Sequence, residues 1–126
     1  MHIVVDEADG RPIYRQVADE IRALIARGEL REGAGLPPVR QVAADLGVNL
    51  NTVATAYREL QREGLITVRH GAGATVASRT AAAKSDDELR KPLRAALTAL
   101  VLAGLPPAEI MALVSGELRG LLKRGK

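Results

Sequence analysis

The chain has 126 residues, 47% of them hydrophobic. That is enough for one compact domain, or a small domain with an accessory element, and too little for a large catalytic scaffold. It contains no cysteine and only two histidines, far apart, which argues against disulfides, thiolate catalysis and a zinc site. The formal net charge is +3, but residues 1–78 carry nine basic against ten acidic residues and residues 79–126 carry nine against five. Overall charge therefore does not by itself indicate a binding partner.

The apolar stretches are too short to direct or anchor the chain at a membrane. Residues 3–5 meet an acidic residue at once, which is not typical of a signal peptide. Residues 95–105 are shorter than a membrane span and end at the pair Pro106-Pro107. We therefore expect a soluble cytoplasmic protein, and no pattern in the sequence indicates a cofactor or a metal.

In chain order, the first predicted elements are a candidate edge strand at residues 3–5 and three helices. Pro12 suits the first turn of helix one, and Gly28 is a plausible stop. Helix two is predicted over residues 39–46, and Asn49 is placed to cap helix three. Apolar residues at helical spacing mark the three inward faces: Ile13, Val17, Ile21, Leu24 and Ile25; Val39, Val42, Ala43 and Leu46; Val53, Ala56, Tyr57 and Leu60.

The second and third helices have the spacing of a helix-turn-helix. Two helices that cross closely at a tight turn need a small residue in the first, a glycine with positive φ at the turn and a β-branched residue in the second. Ala43, Gly47 and Val53 meet these three demands. The polar start of helix three, Asn51-Thr52, then has two interpretations. It is either a polar first turn behind a cap, or a turn that enters the major groove of DNA.

A β-hairpin is predicted directly after the third helix. Residues 66–68 and 74–77 alternate apolar and polar side chains around a glycine-rich turn at residues 70–73. Taken alone, the turn favours an ordinary hairpin over a phosphate-binding loop. Behind a helix-turn-helix, the hairpin is better explained as the wing of a winged helix, whose tip comes close to a minor groove or a phosphate.

The last third predicts a linker and two helices. Ser85 and Glu88 form a capping-box pattern after the Ala-rich residues 79–84. Pro92 either kinks the next helix or separates a single turn at residues 86–91 from a main helix over residues 92–103. A final helix reaches about residue 123. The apolar stripes of this pair are wider than two isolated helices can bury, so they pack either on their own chain or on a second copy across a twofold axis.

Residues 11–77 resemble the GntR family of bacterial transcription regulators. The resemblance rests on five segments in the family's order: Pro12-Ile13-Tyr14 with Gln16-Val17; Leu36-Pro37-Pro38-Val39-Arg40 with Val42-Ala43; Asn51-Thr52-Val53 with Ala56-Tyr57 and Leu60; Glu63-Gly64-Leu65-Ile66; and His70-Gly71-Ala72-Gly73. The short two-helix tail is similar to that of the YtrA-like branch of this family, whose tails dimerise.

This resemblance implies a mainly α fold with a small β-hairpin. A winged helix-turn-helix would occupy residues 1–78, a linker residues 79–85 and a dimerisation tail, an α-helical hairpin, residues 86–126. It also implies a repressor that binds an inverted repeat of double-stranded DNA as a homodimer. The recognition helix, at about residues 50–63, would enter the major groove and the wing, at residues 66–77, the minor groove.

Site residues follow from the same resemblance. Arg40, the pair Asn51-Thr52 and the wing tip His70-Gly71 match family positions that contact DNA. The full set of candidate DNA-binding residues is Arg40, Asn49, Leu50, Asn51, Thr52, Thr55, Arg58, Arg69, His70 and Gly71. The candidate dimerisation residues are Leu93, Leu97, Leu100, Val101, Ile110, Leu113, Val114, Leu118 and Leu121. A small-molecule effector is possible in this family, and the sequence does not identify one.

Two departures from the family pattern affect base readout. Leu50 stands where the family often has arginine, and Pro38 where it usually has serine. Leu50 offers only apolar contact, for example to a thymine methyl group. Simpler explanations of the other candidates stay open. Arg40 could pair with Asp45 in a solvated contact, Arg58 could be an ordinary exposed helix charge, and the histidine at position 70 could be a turn residue.

Two other classes of function are weighed against DNA binding. A winged helix can serve as a protein-binding adaptor, and the slightly acidic balance of residues 1–78 keeps that alternative open. An enzyme is disfavoured because the serines at positions 78, 85 and 115 have no histidine nearby in the sequence to activate them.

Overall fold

The computed structural model describes residues 1–69, 73–78 and 85–122. Within these ranges, residues 1–78 and residues 85–122 fall in two separate compact units. The elements of the first unit are α1 (Ile13–Ala26), β1 (Gly35–Leu36), α2 (Val39–Leu46), α3 (Leu50–Arg62), β2 (Ile66–Arg69) and β3 (Gly73–Val76), and those of the second are α4 (Asp86–Leu102) and α5 (Pro107–Leu122). The predicted fold class, mainly α with a small β element, is confirmed.

The first helix organises the core of the N-terminal unit. Val17 and Ile21 on its inner face are fully buried, as the apolar spacing predicts. One polar residue, Gln16, is also buried, and its amide is used completely. Its Nε2 donates to the carbonyl oxygens of Asp6, at 2.9 Å, and Arg11, at 3.0 Å, while its Oε1 accepts the N–H of Asp6 at 2.8 Å. Gln16 therefore fastens the N-terminal segment to α1.

The expected edge strand at residues 3–5 is wrong, because this segment pairs with none of the strands in the described part of the chain. Ile3 packs into the core instead, whereas Val4 is exposed. The position beside β3 is taken by β1, which pairs with it and forms the edge of the sheet. A short apolar run can thus bury one side chain without forming a strand when another segment holds the edge.

The sheet has three antiparallel strands in the order β1-β3-β2. The wing strands pair from Ile66 opposite Val76 to Arg69 opposite Gly73, in agreement with the predicted hairpin. Gly73, expected in the turn, is the first residue of β3, and the rest of the predicted turn lies outside the described residues. Strand β1 was not predicted, since its two residues lie in a Gly- and Pro-rich connection that carries no alternation. Its pairing with β3 fastens that connection, which leads into α2, to the wing.

The helix-turn-helix has the geometry that the sequence predicts. Between α2 and α3 the chain turns at Gly47, whose φ of 68° lies in the left-handed region. Asn49 caps α3, its side-chain oxygen accepting the N–H of Asn51 at 2.8 Å. Among the predicted inner residues, Val39 and Leu46 of α2 are half-buried. The others are buried: Val42 and Ala43 of α2, and Val53, Ala56, Tyr57 and Leu60 of α3.

The second unit consists of the two tail helices. The capping box predicted from Ser85 and Glu88 is present, with both reciprocal hydrogen bonds formed. Helix α4 runs on through Pro92, so the alternative of a separate turn before this proline is wrong. Proline keeps a helical φ and removes one intrahelical hydrogen bond, and the capping box already fixes the first turn. The predicted linker at residues 79–84 lies outside the described residues.

Beyond the turn that joins them, α4 and α5 scarcely touch each other. In this unit Ile110 is the one apolar residue that is buried, as far as the structure describes the chain. No helix in the described ranges is both long and apolar enough to cross a membrane.

Candidate DNA interface

The N-terminal ends of α2 and α3 border an open groove of about 720 Å³, here called the α2–α3 groove. Three residues singled out from the sequence, Arg40, Leu50 and Asn51, line it together. Its remaining lining residues are Pro38, Val39, Gln41, Ala44 and Ala54. Sequence reasoning did not identify Gln41, although its place beside Arg40 in the first turn of α2 is a signal that could have done so.

A buried tyrosine of α3 holds the segment that leads into α2. The hydroxyl of Tyr57, on the inner face of α3, donates to the carbonyl oxygen of Pro37 at 2.7 Å. Burial raises the pKa of Tyr57 to about 12, because the phenolate would lose its hydration. The bond joins α3 to the segment immediately before α2 and so holds the two groove walls together. The sequence does not indicate this contact, which spans twenty residues.

The outward face of α3 carries a chain of polar contacts. The hydroxyl of Thr55 donates to the carbonyl oxygen of Asn51 at 2.8 Å, and Nη2 of Arg58 donates to the Thr55 hydroxyl oxygen at 3.1 Å. Thr52 is half-buried, whereas Asn49 and Arg58 are exposed. The hydroxyl proton of Thr55 is thus used within the helix, and Arg58 keeps further N–H groups directed to solvent.

Near α1, Arg11 and Arg22 are neutralised by neighbouring carboxylates. Arg11 pairs with Asp9 at 2.7 Å and with Asp19 at 2.6 Å. Arg22 reaches across to the end of α3, where Nε donates to Oε1 of Glu63 at 2.9 Å and Nη2 contacts the other carboxylate oxygen. The side-chain hydrogen bonds from Arg11 lower the pKa of Asp9 to about 2.

The candidate DNA-binding arginines have a different environment. Arg40, Arg58 and Arg69 take part in no ion pair with any residue that the structure describes. The alternative in which Arg40 pairs with Asp45 is therefore not seen. Within residues 1–78, the structure instead shows ion pairs at Arg11, Arg22 and Arg27. The near-zero net charge of this unit therefore does not describe the surroundings of each arginine.

The wing is described up to its tip. Arg69, the last residue of β2, is exposed and lies opposite Gly73. The predicted contact residues at positions 70 and 71 lie outside the described residues. In the ranges that are described, no three or more His, Cys, Asp or Glu side chains are grouped so that they could hold a metal ion.

The candidate dimerisation residues differ in exposure. Leu93, Val101, Leu113, Leu118 and Leu121 are exposed, Leu97, Leu100 and Val114 are half-buried, and Ile110 is buried. Exposed apolar side chains on two helices that scarcely touch each other form a large apolar surface, which soluble monomers rarely retain.

Comparison with known families decides the classification. A sequence profile described as "Bacterial regulatory proteins, gntR family" matches residues 13–76, about half of the chain. The chain belongs to the GntR family. The match begins at α1 and ends with β3, so it takes in both walls of the α2–α3 groove and the wing.

Relatives place this GntR protein on the YtrA-like branch. The HTH-type transcriptional repressor YtrA of Bacillus subtilis (strain 168) is 39% identical over 71 residues, which are 56% of this chain and 55% of that protein. The chain thus spans about half the length of this curated relative. A solved structure of YtrA from Sulfolobus acidocaldarius, described as a GntR-family transcription factor, is 41% identical with a TM-score of 0.63, covering 76% of this chain and 97% of that one.

Two further solved structures extend the comparison. One, described as a transcriptional antiterminator from Listeria monocytogenes EGD-e, is 29% identical with a TM-score of 0.90 and covers all of this chain and 96% of that one. The other is the DNA-binding domain of AraR in complex with operator ORX1, 25% identical with a TM-score of 0.55 over 61% of this chain and 96% of that one. The relatives are named as regulators of transcription.

Proposed function

We propose that this GntR-family protein is a cytoplasmic transcriptional repressor that binds an inverted-repeat operator as a homodimer. Each α3 enters the major groove and each wing enters the flanking minor groove. The observation that carries the proposal is the α2–α3 groove, where an arginine without an ion pair, Arg40, meets the polar first turn of the capped helix α3.

The distribution of charge supports DNA as the partner. Among the described residues, Arg40 on α2, Arg58 on α3 and Arg69 on β2 have no carboxylate partner, while Arg11 and Arg22 near α1 are paired. Phosphates attract such unpaired cations and release counterions on binding, so affinity falls steeply with salt. The operator complex of the AraR domain, which shares this fold, agrees with DNA binding through the N-terminal unit.

Roles are assigned by position. Arg40, beside the groove mouth, contacts a phosphate and sets the docking register. Asn51 and Thr52 reach base edges from the first turn of α3, supported by Asn49, Thr55 and Arg58 along the same helix. On the wing, Arg69 and the residues at positions 70 and 71 contact the minor groove or its phosphates.

The tail supplies the dimer. Its exposed apolar residues on α4 and α5 require cover, and a second copy provides it by an isologous interface in which the same stripes meet across a twofold axis. A twofold dimer presents two recognition helices to two half-sites, so the operator repeats with inverted symmetry. The similarity to a protein named as a transcriptional repressor supports the sign of regulation.

The test is a selection of bound duplexes from fragmented genomic DNA at physiological salt, with Arg40→Ala in parallel. We expect enrichment of one inverted repeat by the unmodified protein. Arg40→Ala should bind about a hundred-fold or more weakly, because a charge-assisted hydrogen bond of about 1.5 kcal/mol or more is removed in each of the two protomers. The slope of log affinity against log salt is negative. Its magnitude should decrease by about 0.9 for each phosphate that is no longer neutralised, so by about 1.8 in the dimer.

Arg90→Ala on α4 is the control for a loss of charge, since this exposed residue, which pairs with Asp86, does not line the α2–α3 groove and is not a candidate DNA-binding residue. It should keep both the affinity and the salt slope. If the folded protein enriches no duplex, with or without added cell metabolites, the repressor proposal is wrong. Co-purification of a protein partner in that case would favour the adaptor instead.

A further inference from the structure

Leu50 is an apolar residue at the N-terminal end of the proposed recognition helix. It is the first residue of α3 and 47% exposed, although its neighbours Asn49 and Asn51 are polar. Together with Pro38, Val39, Ala44 and Ala54, it forms the apolar part of the lining of the α2–α3 groove, here called the apolar floor. Arg40, which forms no ion pair with any described residue, lines the same groove.

The chemistry of DNA limits what such a floor can contact. In the major groove the base edges present hydrogen-bond donors and acceptors, and the C5-methyl group of thymine is their apolar feature. A leucine side chain has no hydrogen-bonding group. Leu50 can therefore distinguish bases through this methyl group, while Asn51 beside it is able to bond the N6 and N7 edge of an adenine.

We propose that Leu50 determines specificity by contacting the C5-methyl of one thymine in each half-site of the operator. The proposal rests on the DNA binding proposed above and adds the identity of one base. Continuity of the apolar floor with Arg40 and Asn51 supports it, because a phosphate contact at Arg40 and a base contact at Asn51 bring the floor against the base edges. Burial of one methyl group against leucine changes affinity by about four-fold.

The experiment uses the full chain and its selected operator. Each thymine of one half-site is replaced in turn by deoxyuridine, which lacks only the C5-methyl, and the dissociation constant is measured. At one position the substitution should weaken binding by the unmodified protein about four-fold. Leu50→Ala should bind the thymine and deoxyuridine operators equally at that position. Leu50→Arg should also be insensitive to the methyl and should gain preference for guanine there.

Val4→Ala is the control, because Val4 is 64% exposed in the same unit and does not line the groove. It should keep the four-fold difference. If the unmodified protein binds the operator and no thymine is sensitive, or if Leu50→Ala keeps the difference, the role of Leu50 is disproved and DNA binding stands. If the folded protein binds no duplex at all, the proposed function fails and this inference fails with it.

Discussion

The two units of this protein differ in how far their apolar side chains are buried. In residues 1–78 the apolar side chains close a core, in which Val17, Ile21, Val53 and Leu60 are completely buried. In residues 85–122 a single described apolar residue, Ile110, is buried. Most of the large exposed apolar side chains belong to this second unit: Leu89, Leu93, Val101, Leu102, Met111, Leu113, Leu118, Leu121 and Leu122.

The interactions that stabilise the two units therefore differ. The N-terminal unit is stabilised by tertiary packing, since its helices bury a complete face each. The tail helices rely on local devices, namely the capping box at Ser85 and the acidic first turn of α4, which complements the helix dipole. Such devices contribute little compared with burial. The stability of the tail should therefore depend on association and hence on protein concentration.

The largest expected effect is in the closed core. Leu60→Ala removes a fully buried side chain and should lower the free energy of unfolding by about 3–5 kcal/mol, because a cavity remains where the side chain packed. Denaturant unfolding followed by circular dichroism measures the loss. Val4→Ala, at a 64% exposed position of the same unit, is the control and should change stability by about 0.5 kcal/mol or less. Equal losses would contradict the presence of a closed core around Leu60.

The next effect concerns the open surface of the tail. Leu118→Lys places a cation at a 53% exposed position of α5, where a monomer tolerates it near the helix C-terminus. In a dimer it should cost about 1.5–3 kcal/mol per protomer, because the leucine is no longer buried. Sedimentation equilibrium should then show monomers at concentrations where the unmodified protein is dimeric. The neighbouring Glu117→Gln raises the net charge equally and should remain dimeric. A stable Leu118→Lys dimer would exclude this stripe from the interface.

The smallest expected effect concerns one hydrogen bond within the N-terminal unit. Tyr57→Phe removes the hydrogen bond to the carbonyl oxygen of Pro37 and should cost about 1 kcal/mol. The pKa of Tyr57 is raised from 10.0 to about 12 by burial. The contribution of the neutral Tyr57 phenol to the free energy of unfolding is therefore complete below pH 10 and is lost as pH rises through 12.

The free energy of unfolding should decrease between pH 10 and pH 12. This decrease should be smaller for Tyr57→Phe than for the unmodified protein. The other tyrosine provides the control, since Tyr14→Phe leaves the bond to Pro37 intact and should keep the alkaline loss. If Tyr57→Phe and the unmodified protein lose stability alike, burial of this phenol does not couple to folding.

Locally encoded features were predictable from the sequence. The bounds of α2, the left-handed Gly47, the cap at Asn49 and the capping box each depend on residues within a few positions of one another. The candidate residues of the site could be named through the family's motifs, and their DNA contacts stay predictions. The Tyr57 hydrogen bond could not be predicted, because its acceptor lies twenty residues away.

The helices, the hairpin and the family could be inferred from the sequence, because helical periodicity, caps and turn residues act over short distances. Two other features depend on tertiary contacts. Residues 35–36, and not residues 3–5, complete the sheet, since pairing depends on which segment reaches the edge of β3. Tertiary structure also decides which arginines are neutralised, because ion pairs such as that between Arg22 and Glu63 join residues that are distant in the chain.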